Sequence, residues 1–439
     1  DVLGSRGLGD VYKRQCMKRN FLKLRSWAVI ALIGSFTFTS CSDDDDNGGS
    51  GDGNEDEIVM ENGTTLSGEI ASGKTVILSS GYRFKLSGGY AVKNGAKLKI
   101  EKGVILTAVK DDIADYILVE QGGYIDAQGT ADDPIIMTAE DQTPGGWGGI
   151  HICGYAHTNK GAGTKSEIGN APYGGNKEDD NSGILRYIRL EYTGFSFDDE
   201  HESNGVSFYG VGNGTTVEYL QSYKGADDGF EFFGGSVNVK YLLATDNEDD
   251  SFDWTEGWNG KAQFLVATQL GTSGAKDMGD CLIEADNNGD DATATPVAFP
   301  TLSNLTLIGN NSTEGKRGIR LRAGTKVKIY NALVTGKPEC LTTETEQTEN
   351  ALVSSASDAS VLKYMTLSSD IKCNEGIYSS ELFRTAENHN EINQTLSFEN
   401  VYVGTVEGGA DLSADSFFTK ATYRGAVKKG ADWTQGWTK

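Results

Sequence analysis

The sequence contains little proline, histidine or cysteine. Its 439 residues include 6 prolines, 4 histidines and 6 cysteines, and no two cysteines form a Cys-x-x-Cys pair. Zinc knuckles and dithiol redox sites need such closely spaced ligands, so neither is expected. No Gly-x-Ser-x-Gly motif indicates a nucleophilic serine. The sequence therefore lacks the usual signatures of a zinc-knuckle protein or a serine hydrolase.

Basic residues are also scarce. Lysine and arginine number 39 against 63 aspartates and glutamates, which gives a formal net charge of −24. A field of this sign repels nucleic acids and anionic membrane surfaces, and no basic stripe in the sequence counters it. Nucleic acid is therefore not expected as a partner.

Only one apolar run, from Trp27 to Phe38, suggests a targeting segment. It is too short for a membrane-spanning helix, and four basic residues precede it, as in a secretory signal peptide. Residues 10–15, DVYKRQ, have the form of a translated library-preparation sequence. We therefore expect residues 1–16 to be a sequencing or assembly artefact and residues 17–40 to be a lipoprotein signal peptide.

Cys41 directly follows the predicted signal peptide. A plain secretory signal with a chance cysteine is the alternative to a lipoprotein signal. The next residues, SDDDDNGGSGDGNEDE, resemble the surface-export signal of Bacteroidetes lipoproteins and are too acidic to bury a core. We expect Cys41 to be acylated and to hold the protein in outer-membrane lipid. Residues 41–62 would then form a disordered tether to a body outside the cell.

The rest of the chain is rich in glycine and in short apolar runs. There are 57 glycines, and runs such as KTVILSS, VNVKYLLAT and TKVKIYNALVTG have the length of strands. None keeps a period of about 3.6 residues for long enough to form an amphipathic helix. The pattern predicts an all-β protein.

Short motifs recur at a nearly constant interval. DDGFEF at residues 227–232 returns as DDSFDW at 249–254, and NGVSFYG at 204–210 matches DGFEFFG at 228–234. Repeats of about 20–30 residues with short strands indicate a solenoid, whereas a propeller blade needs about 40 residues. We therefore predict one right-handed parallel β-helix with loop insertions over residues 63–439.

This fold assigns the two faces of the repeated motif. Phe230, Phe232, Phe252 and Trp254 would point inward, and Glu231, like Asp253 one coil later, would point outward. Equivalent residues on successive coils would lie about 4.8 Å apart. The acid pairs would fall at the turns that enter the strands, where aspartate commonly accepts hydrogen bonds from backbone amides.

Several segments resemble known β-helix proteins. LKIEKGVIL and GGWGGIHICG are similar to the opening coils of many secreted bacterial β-helix proteins. NGVSFYGVGNGTTVEYLQSYKGADDGFEFFGGSVNVKYL and the closing YRGAVKKGADWTQGWTK resemble more narrowly a family of Bacteroidetes β-helix lipoproteins and secreted proteins with a pectate-lyase-like fold. The resemblance covers nearly the whole chain from about Gly63. It implies the fold and a location outside the cell, but no activity and no catalytic residue.

The acid pairs are the candidate metal ligands. Asp227, Asp228, Asp249 and Asp250 would lie on two adjacent coils, with the outward Glu231 and Asp253 nearby. Calcium suits such a set because it takes six to eight oxygen ligands. The alternative is a solvated acidic edge in which these aspartates only cap turns.

Two classes of function remain open at this stage. The favoured class is a non-catalytic surface protein that binds a glycan or another cell-surface partner through Glu231, Asp253, Trp258 and Arg322. The alternative is a polysaccharide lyase or glycoside hydrolase that uses Asp228, Asp250 and Arg320, with or without calcium. Cys340 and Cys373 could form a disulfide or remain buried thiols.

Overall fold

The computed structural model describes residues 56–111, 113–197, 201–273, 276–277 and 279–439. In this part of the chain 24 strands form one continuous sheet that winds around a central axis, and every pairing within it is parallel. This confirms the predicted right-handed parallel β-helix.

Each coil contributes to three faces, named sheets A, B and C. Sheet A contains β1 (Asp56–Val59), β3 (Lys74–Leu78), β5 (Lys97–Glu101) and β8 (Tyr124–Gln128). It continues through the first halves of seven bent strands: β13 (Gly183–Glu191), β15 (Thr216–Tyr223), β17 (Asn238–Thr245), β19 (Lys261–Thr268), β23 (Thr301–Ile308), β25 (Lys328–Thr335) and β27 (Val361–Leu367). Sheet B contains β6 (Ile105–Ala108), β9 (Ile135–Ala139) and the second halves of those seven strands.

Sheet C carries the repeated motif. It contains β7 (Tyr116–Val119), β10 (Ile150–Cys153), β14 (Val206–Tyr209), β16 (Phe230–Phe233), β18 (Phe252–Thr255), β22 (Ile283–Ala285), β24 (Arg317–Leu321), β26 (Glu339–Thr343) and β28 (Ile371–Cys373). Near the start of the solenoid, β2 (Thr65–Ile70) and β4 (Arg83–Val92) each bend from sheet B into sheet C.

The remaining elements lie outside this sheet. They are the antiparallel pairs β11 (Thr164–Lys165) with β12 (Pro172–Tyr173), β20 (Thr272–Ser273) with β21 (Lys276–Asp277) and β29 (Gly404–Glu407) with β30 (Tyr423–Val427), the helices α1 (Glu346–Val353) and α2 (Ser380–Phe383), and a 3₁₀ helix at Ala386–Asn388. Among the described residues, none of the helices is long and apolar enough to cross a membrane.

The bend between sheets A and B is built from left-handed residues. One residue in each of the seven bent strands has a φ between 50° and 60°, and these residues are Tyr187, Tyr219, Tyr241, Phe264, Asn304, Asn331 and Tyr364. The first four rings stack on successive coils at centroid distances of 4.4, 4.3 and 4.9 Å. Stacking on its neighbours therefore offsets part of the free-energy cost of the strained backbone at each ring.

The interior is the predicted apolar stack. Phe230 and Phe252 stack at 5.6 Å, Phe208 and Phe232 stack at 5.0 Å, and Trp254 is 1 % exposed. The predicted inward positions of the repeated motif are therefore correct.

The structure also bears on the predicted start of the β-helix domain and on the state of two cysteines. Among the described residues, the parallel sheet already includes β1 (Asp56–Val59), which precedes the predicted boundary at Gly63 and pairs with β3. Cys340 and Cys373 are both free thiols, so they form no disulfide.

Candidate functional site

A ladder of polar side chains runs along the outer face of sheet C. The register of successive strands aligns its members in the order Ser207, Glu231, Asp253, Glu284 and Arg320. Arg320 thus lies on the same line as Ser207, Glu231 and Asp253. Parallel pairing sets the neighbours about 4.8 Å apart, so the three carboxylates crowd one another.

The acid pairs occupy the turns that lead into sheet C. Asp228 Oδ1 accepts a hydrogen bond from the amide of Asp250 at 2.8 Å, and Asp250 Oδ1 accepts one from the amide of Cys281 at 2.5 Å. The second aspartate of each pair therefore caps the turn of the next coil. Both are 6 % exposed, so these carboxylates are largely withdrawn from water.

The carboxylates of these turns converge with those of the ladder. Within each of three overlapping groups, one ligand atom per residue lies within 4.8 Å of the others. This span is about twice a calcium–oxygen distance of 2.3–2.6 Å, so one ion can reach all members of a group. The groups are Asp227, Asp228 and Asp249; Asp228, Asp250 and Asp253; and Asp250, Asp280 and Cys281.

The central group is electrostatically unfavourable without a cation. Burial and the neighbouring carboxylates raise the pKa of Asp228, Asp250 and Asp253 well above the usual range. Burial, followed by the charges of Glu202 and Asp249, raises the pKa of Asp227 to about 8. Asp253 Oδ1 is buried and accepts no hydrogen bond. A bound proton or cation would relieve this repulsion.

The two arginines at the end of the ladder are fully occupied by carboxylates. Arg320 binds both oxygens of Glu344 at 3.1 Å and lies 2.9 Å from Glu284. Arg322 Nε donates to Asp286 at 2.7 Å, and its Nη2 lies 3.1 Å from Glu284. Both guanidinium groups are therefore held by carboxylates outside the central group, and the charge of Arg322 only partly offsets the raised pKa of Asp253.

Trp258 does not lie at the surface, contrary to the expectation that it offers a platform for a sugar. It follows a turn at Gly257, where φ is +88°, and its ring folds back into the interior. There it is 1 % exposed, stacks on Phe232 at 4.2 Å and donates from Nε1 to the carbonyl of Val237 at 3.2 Å. Its ring is therefore part of the core.

The insertion between β10 and β13 packs beside the ladder. Thr158 and Tyr173 each donate to Glu256 Oε2 at 2.7 Å, and Lys160 Nζ lies 3.2 Å from Glu256 Oε1. These contacts pin the insertion to the outer face of sheet C. Glu231 and Asp253 stay partly exposed on the outer face of sheet C.

The turn before β14 contacts the ladder through Asn204. Asn204 Nδ2 donates to Glu231 Oε2 at 2.5 Å and to Ser207 Oγ at 3.1 Å. One coil earlier, His151 is fully buried on the same ladder, and its Nε2 lies 2.7 Å from the carbonyl of Gly148. Burial lowers the pKa of His151 to about 4, so its imidazole is neutral. Because it is fully buried, it is not accessible to a ligand at the surface.

Sequence reasoning found most of this site but missed its third coil. Asp249 and Asp250 are followed 31 residues later by Asp280 and Cys281, and the strand after them carries Glu284. DCLIEA at residues 280–285 is thus a third, diverged copy of DDSFDW. Cys41, the predicted lipidation site, lies outside the described residues.

Comparison with known proteins agrees with the fold. No curated protein and no solved structure matches the chain. A family model, described as the pectate-lyase like beta helix domain, matches residues 68–438, which include the whole solenoid beyond its first turns. With this match and its parallel three-sheet coils, the chain belongs to the pectate-lyase-like β-helix family.

Proposed function

We propose that the protein binds a divalent cation of the calcium class at Asp228, Asp250 and Asp253, and through it a carbohydrate chain, without cleaving that chain. One observation carries the proposal. The carboxylate oxygens of these residues converge within 4.8 Å, and Asp253 Oδ1 is buried without any partner. A buried oxygen of this kind costs free energy unless a ligand engages it.

The donor set favours calcium over softer metals. Carboxylate oxygens suit a hard cation, and calcium takes six to eight of them in flexible geometry. Three carboxylates supply at most six ligands and fewer if they bind through one oxygen each. The open positions would face the partly exposed surface at Glu231 and Asp253, where hydroxyl groups of a sugar can complete the coordination. This is the reason for proposing a carbohydrate ligand.

The pairing of the candidate base favours binding over cleavage. A calcium-assisted lyase needs a base such as an arginine, and Arg320 is held between Glu284 and Glu344. Among the described residues of the ladder, His151 is buried and Ser207 is bonded to Asn204. The ligand-binding roles of Glu231, Asp253 and Arg322 stay predictions under this proposal.

A glycoside hydrolase is the second candidate, and one observation supports it. The raised pKa of Asp228 and Asp250 would keep one of the two carboxyls protonated beside an ionised neighbour, which is the arrangement of a general acid and its partner. Turnover that is lost in Asp250→Asn would establish this candidate in place of pure binding.

The deciding experiment combines a glycan array with a screen for new reducing ends and unsaturated products, both with calcium and with EDTA. We expect calcium-dependent binding and no product. Binding that is equal in EDTA would contradict the role of the cation, and product formation would contradict the non-catalytic assignment.

The location is proposed separately. The pattern of a short apolar segment, Cys41 and an acidic run supports a lipid anchor in the outer membrane with the solenoid outside the cell. The proposed carbohydrate-binding surface would then be exposed outside the cell.

A further inference from the structure

The segment at residues 431–439 lies on the solenoid like a bound peptide. We name it the docked segment. It contains no strand that joins the sheet, and it follows β30 through Lys428, Lys429 and Gly430, which are all exposed. Gly430 has a φ of +77°, and no other part of the protein would approach a Cβ placed there within 4 Å. The linker makes contacts of its own, because the amide of Ala431 donates to the carbonyl of Lys428 at 2.9 Å and Lys429 forms an ion pair with Glu399. The docked segment is therefore joined to the solenoid through an exposed turn.

Two tryptophans anchor the docked segment to the ladder of tyrosines at the bend between sheets A and B. The ring of Trp437 is fully buried and meets Tyr187 edge-on at 5.7 Å. The ring of Trp433 meets Tyr241 at 5.3 Å, and both indoles reach Tyr219 at 6.3 Å. Buried aromatic anchors of this kind dominate the energy of peptide and protein interfaces.

A lysine pocket lies beside the tyrosine ladder. Lys439 Nζ lies 3.1 Å from Glu191 Oε2 and 3.3 Å from the hydroxyl of Tyr192. It also lies over the rings of Tyr192 and Tyr223, at 5.1 and 5.0 Å from their centroids. One carboxylate and two aromatic rings make a specific site for a primary ammonium group.

The backbone next to this ammonium is recognised as well. The amide of Lys439 donates to Gln221 Oε1 at 2.8 Å, and Gln221 Nε2 donates to the carbonyl of Lys439 at 3.2 Å. Arg189 adds a hydrogen bond to the carbonyl of Trp437 at 3.3 Å. The pocket thus binds both the backbone and the ammonium group of a lysine residue, so it can distinguish a peptide from a free amine.

From these contacts we infer that the tyrosine ladder and the lysine pocket form a peptide-docking groove for a Trp-x-x-x-Trp-x-Lys segment. The groove is filled in cis by the docked segment and accepts the same segment from a second copy of the chain when the local one is detached. The hairpin β29–β30 differs, because its Arg424 is buried and holds Thr366 and Glu391 at 2.7 and 2.9 Å. Only the part beyond the exposed linker is expected to exchange.

The inference concerns the bend between sheets A and B and does not depend on cation or carbohydrate binding. Its test uses the full chain with Trp437→Ala and Lys439→Met, which removes the buried tryptophan anchor and the ammonium group and leaves the groove intact. The probe is a fluorescein-labelled peptide of residues 430–439, followed by fluorescence anisotropy. A tethered occupant has an effective concentration in the millimolar range, so the unmodified chain should bind the probe at least about tenfold more weakly than the variant.

Two controls make the result specific. A probe with methionine in place of its lysine should bind the variant at least about tenfold more weakly, because the ammonium contacts are lost. Adding Tyr223→Leu to the variant should have a similar effect on the unmodified probe. If the folded variant shows no saturable binding up to about 1 mM probe, the inference is overturned.

A second measurement covers the case in which the variant fails to fold. In the unmodified chain, hydrogen exchange should be faster at the amides of residues 432–439 than in β30, because the docked segment opens locally. Equal protection of the two would show that the segment is a fixed part of the solenoid and would also overturn the inference.

Discussion

Asp228 accepts a hydrogen bond from the amide of Asp250, the residue that occupies its own place one coil later. Asp250 does the same for Cys281, which takes that place on the following coil. The repeated acid pair is therefore first a turn-capping device that links successive coils. The same turns bring a carboxylate oxygen of each of the two residues within 4.8 Å of one of Asp253, so the structural repeat also assembles the candidate cation site.

Calcium should stabilise the folded protein through this site. A ligand that binds only the native state contributes about 2.7 kcal/mol at one hundred times its dissociation constant. We expect the melting temperature to rise by several degrees in about 1 mM calcium, and this rise to vanish in the Asp228→Asn, Asp250→Asn double variant. Differential scanning fluorimetry measures both.

The control for this prediction is the Asp358→Asn, Asp411→Asn double variant. It removes the same number of charges at exposed positions outside the candidate cation site and should keep the calcium response. An unchanged melting temperature of the unmodified protein in calcium would leave the acid pairs as turn caps alone.

Without divalent cations, stability should fall as the pH rises from about 5 to 8. Burial raises the pKa of Asp227 to about 8, and burial with neighbouring carboxylates raises those of Asp228 and Asp250 well above the usual range, so the folded chain binds more protons than the unfolded chain in this interval. The free energy of unfolding therefore decreases with pH. Thermal melts in EDTA across this range measure the slope, and the Asp228→Asn, Asp250→Asn variant should flatten it.

A separate carboxyl adds to this dependence at lower pH. Burial raises the pKa of Asp115 to about 6, and its Oδ2 is buried without a partner. The cost of ionising it is absent below the unfolded pKa, near 4, and fully present above pH 6. Asp115→Asn should therefore flatten the slope only below about pH 6. A slope that neither variant changes would show that other groups control the pH response.

The fold could be predicted because several neighbouring coils have nearly the same length. Val217 pairs with Val239, and Phe230 with Phe252, so identical residues stack and the repeat is visible in the sequence. The third copy, DCLIEA, could not be found in this way, because the insertion that contains β20 and β21 lengthens its coil to 31 residues. Its one cysteine and two aliphatic residues also hide the pattern.

Orientation within a turn was harder to predict than position along the chain. Trp258 follows a strand and a glycine, which suggested an exposed loop, but the left-handed Gly257 turns the chain so that the indole packs on Phe232. The docked segment was also invisible to a search for repeats. Its partners, Glu191 and Gln221, are distant in sequence and are brought to it only by the folded solenoid.

The interior stack should dominate stability. Phe230 is fully buried, and its replacement by alanine should cost about 3–5 kcal/mol, because it removes a large apolar side chain and leaves a cavity. Tyr82→Ala is the matched control, since this aromatic residue is 40 % exposed and its loss should cost less than about 0.5 kcal/mol. Urea denaturation followed by circular dichroism measures both. A cost below about 1 kcal/mol for Phe230→Ala would contradict the register.

Arg320 should prove to be structural. Its guanidinium lies between Glu284, which is 6 % exposed, and Glu344, so Arg320→Met leaves a buried carboxylate with only Arg322 as partner. We expect a loss of about 2–4 kcal/mol, and little recovery in Arg320→Lys, which cannot bind a carboxylate through two parallel hydrogen bonds. Stability that is unchanged in Arg320→Met would reopen a catalytic role for this residue.

Removal of the predicted lipid anchor should change the location of the protein without changing its fold. Cys41→Ala takes away the thiol that would carry the acyl chains, and two or more such chains are needed for stable membrane attachment. We expect the variant to lose incorporation of a labelled fatty acid and to leave the outer-membrane fraction. Ser42→Ala, a change at the next residue, should alter neither. In the part of the chain that the structure describes, the first strand of the solenoid is Asp56–Val59, so we expect the thermal unfolding of both variants to match that of the unmodified protein. Labelling that persists in Cys41→Ala would show that Cys41 is not the acylated residue.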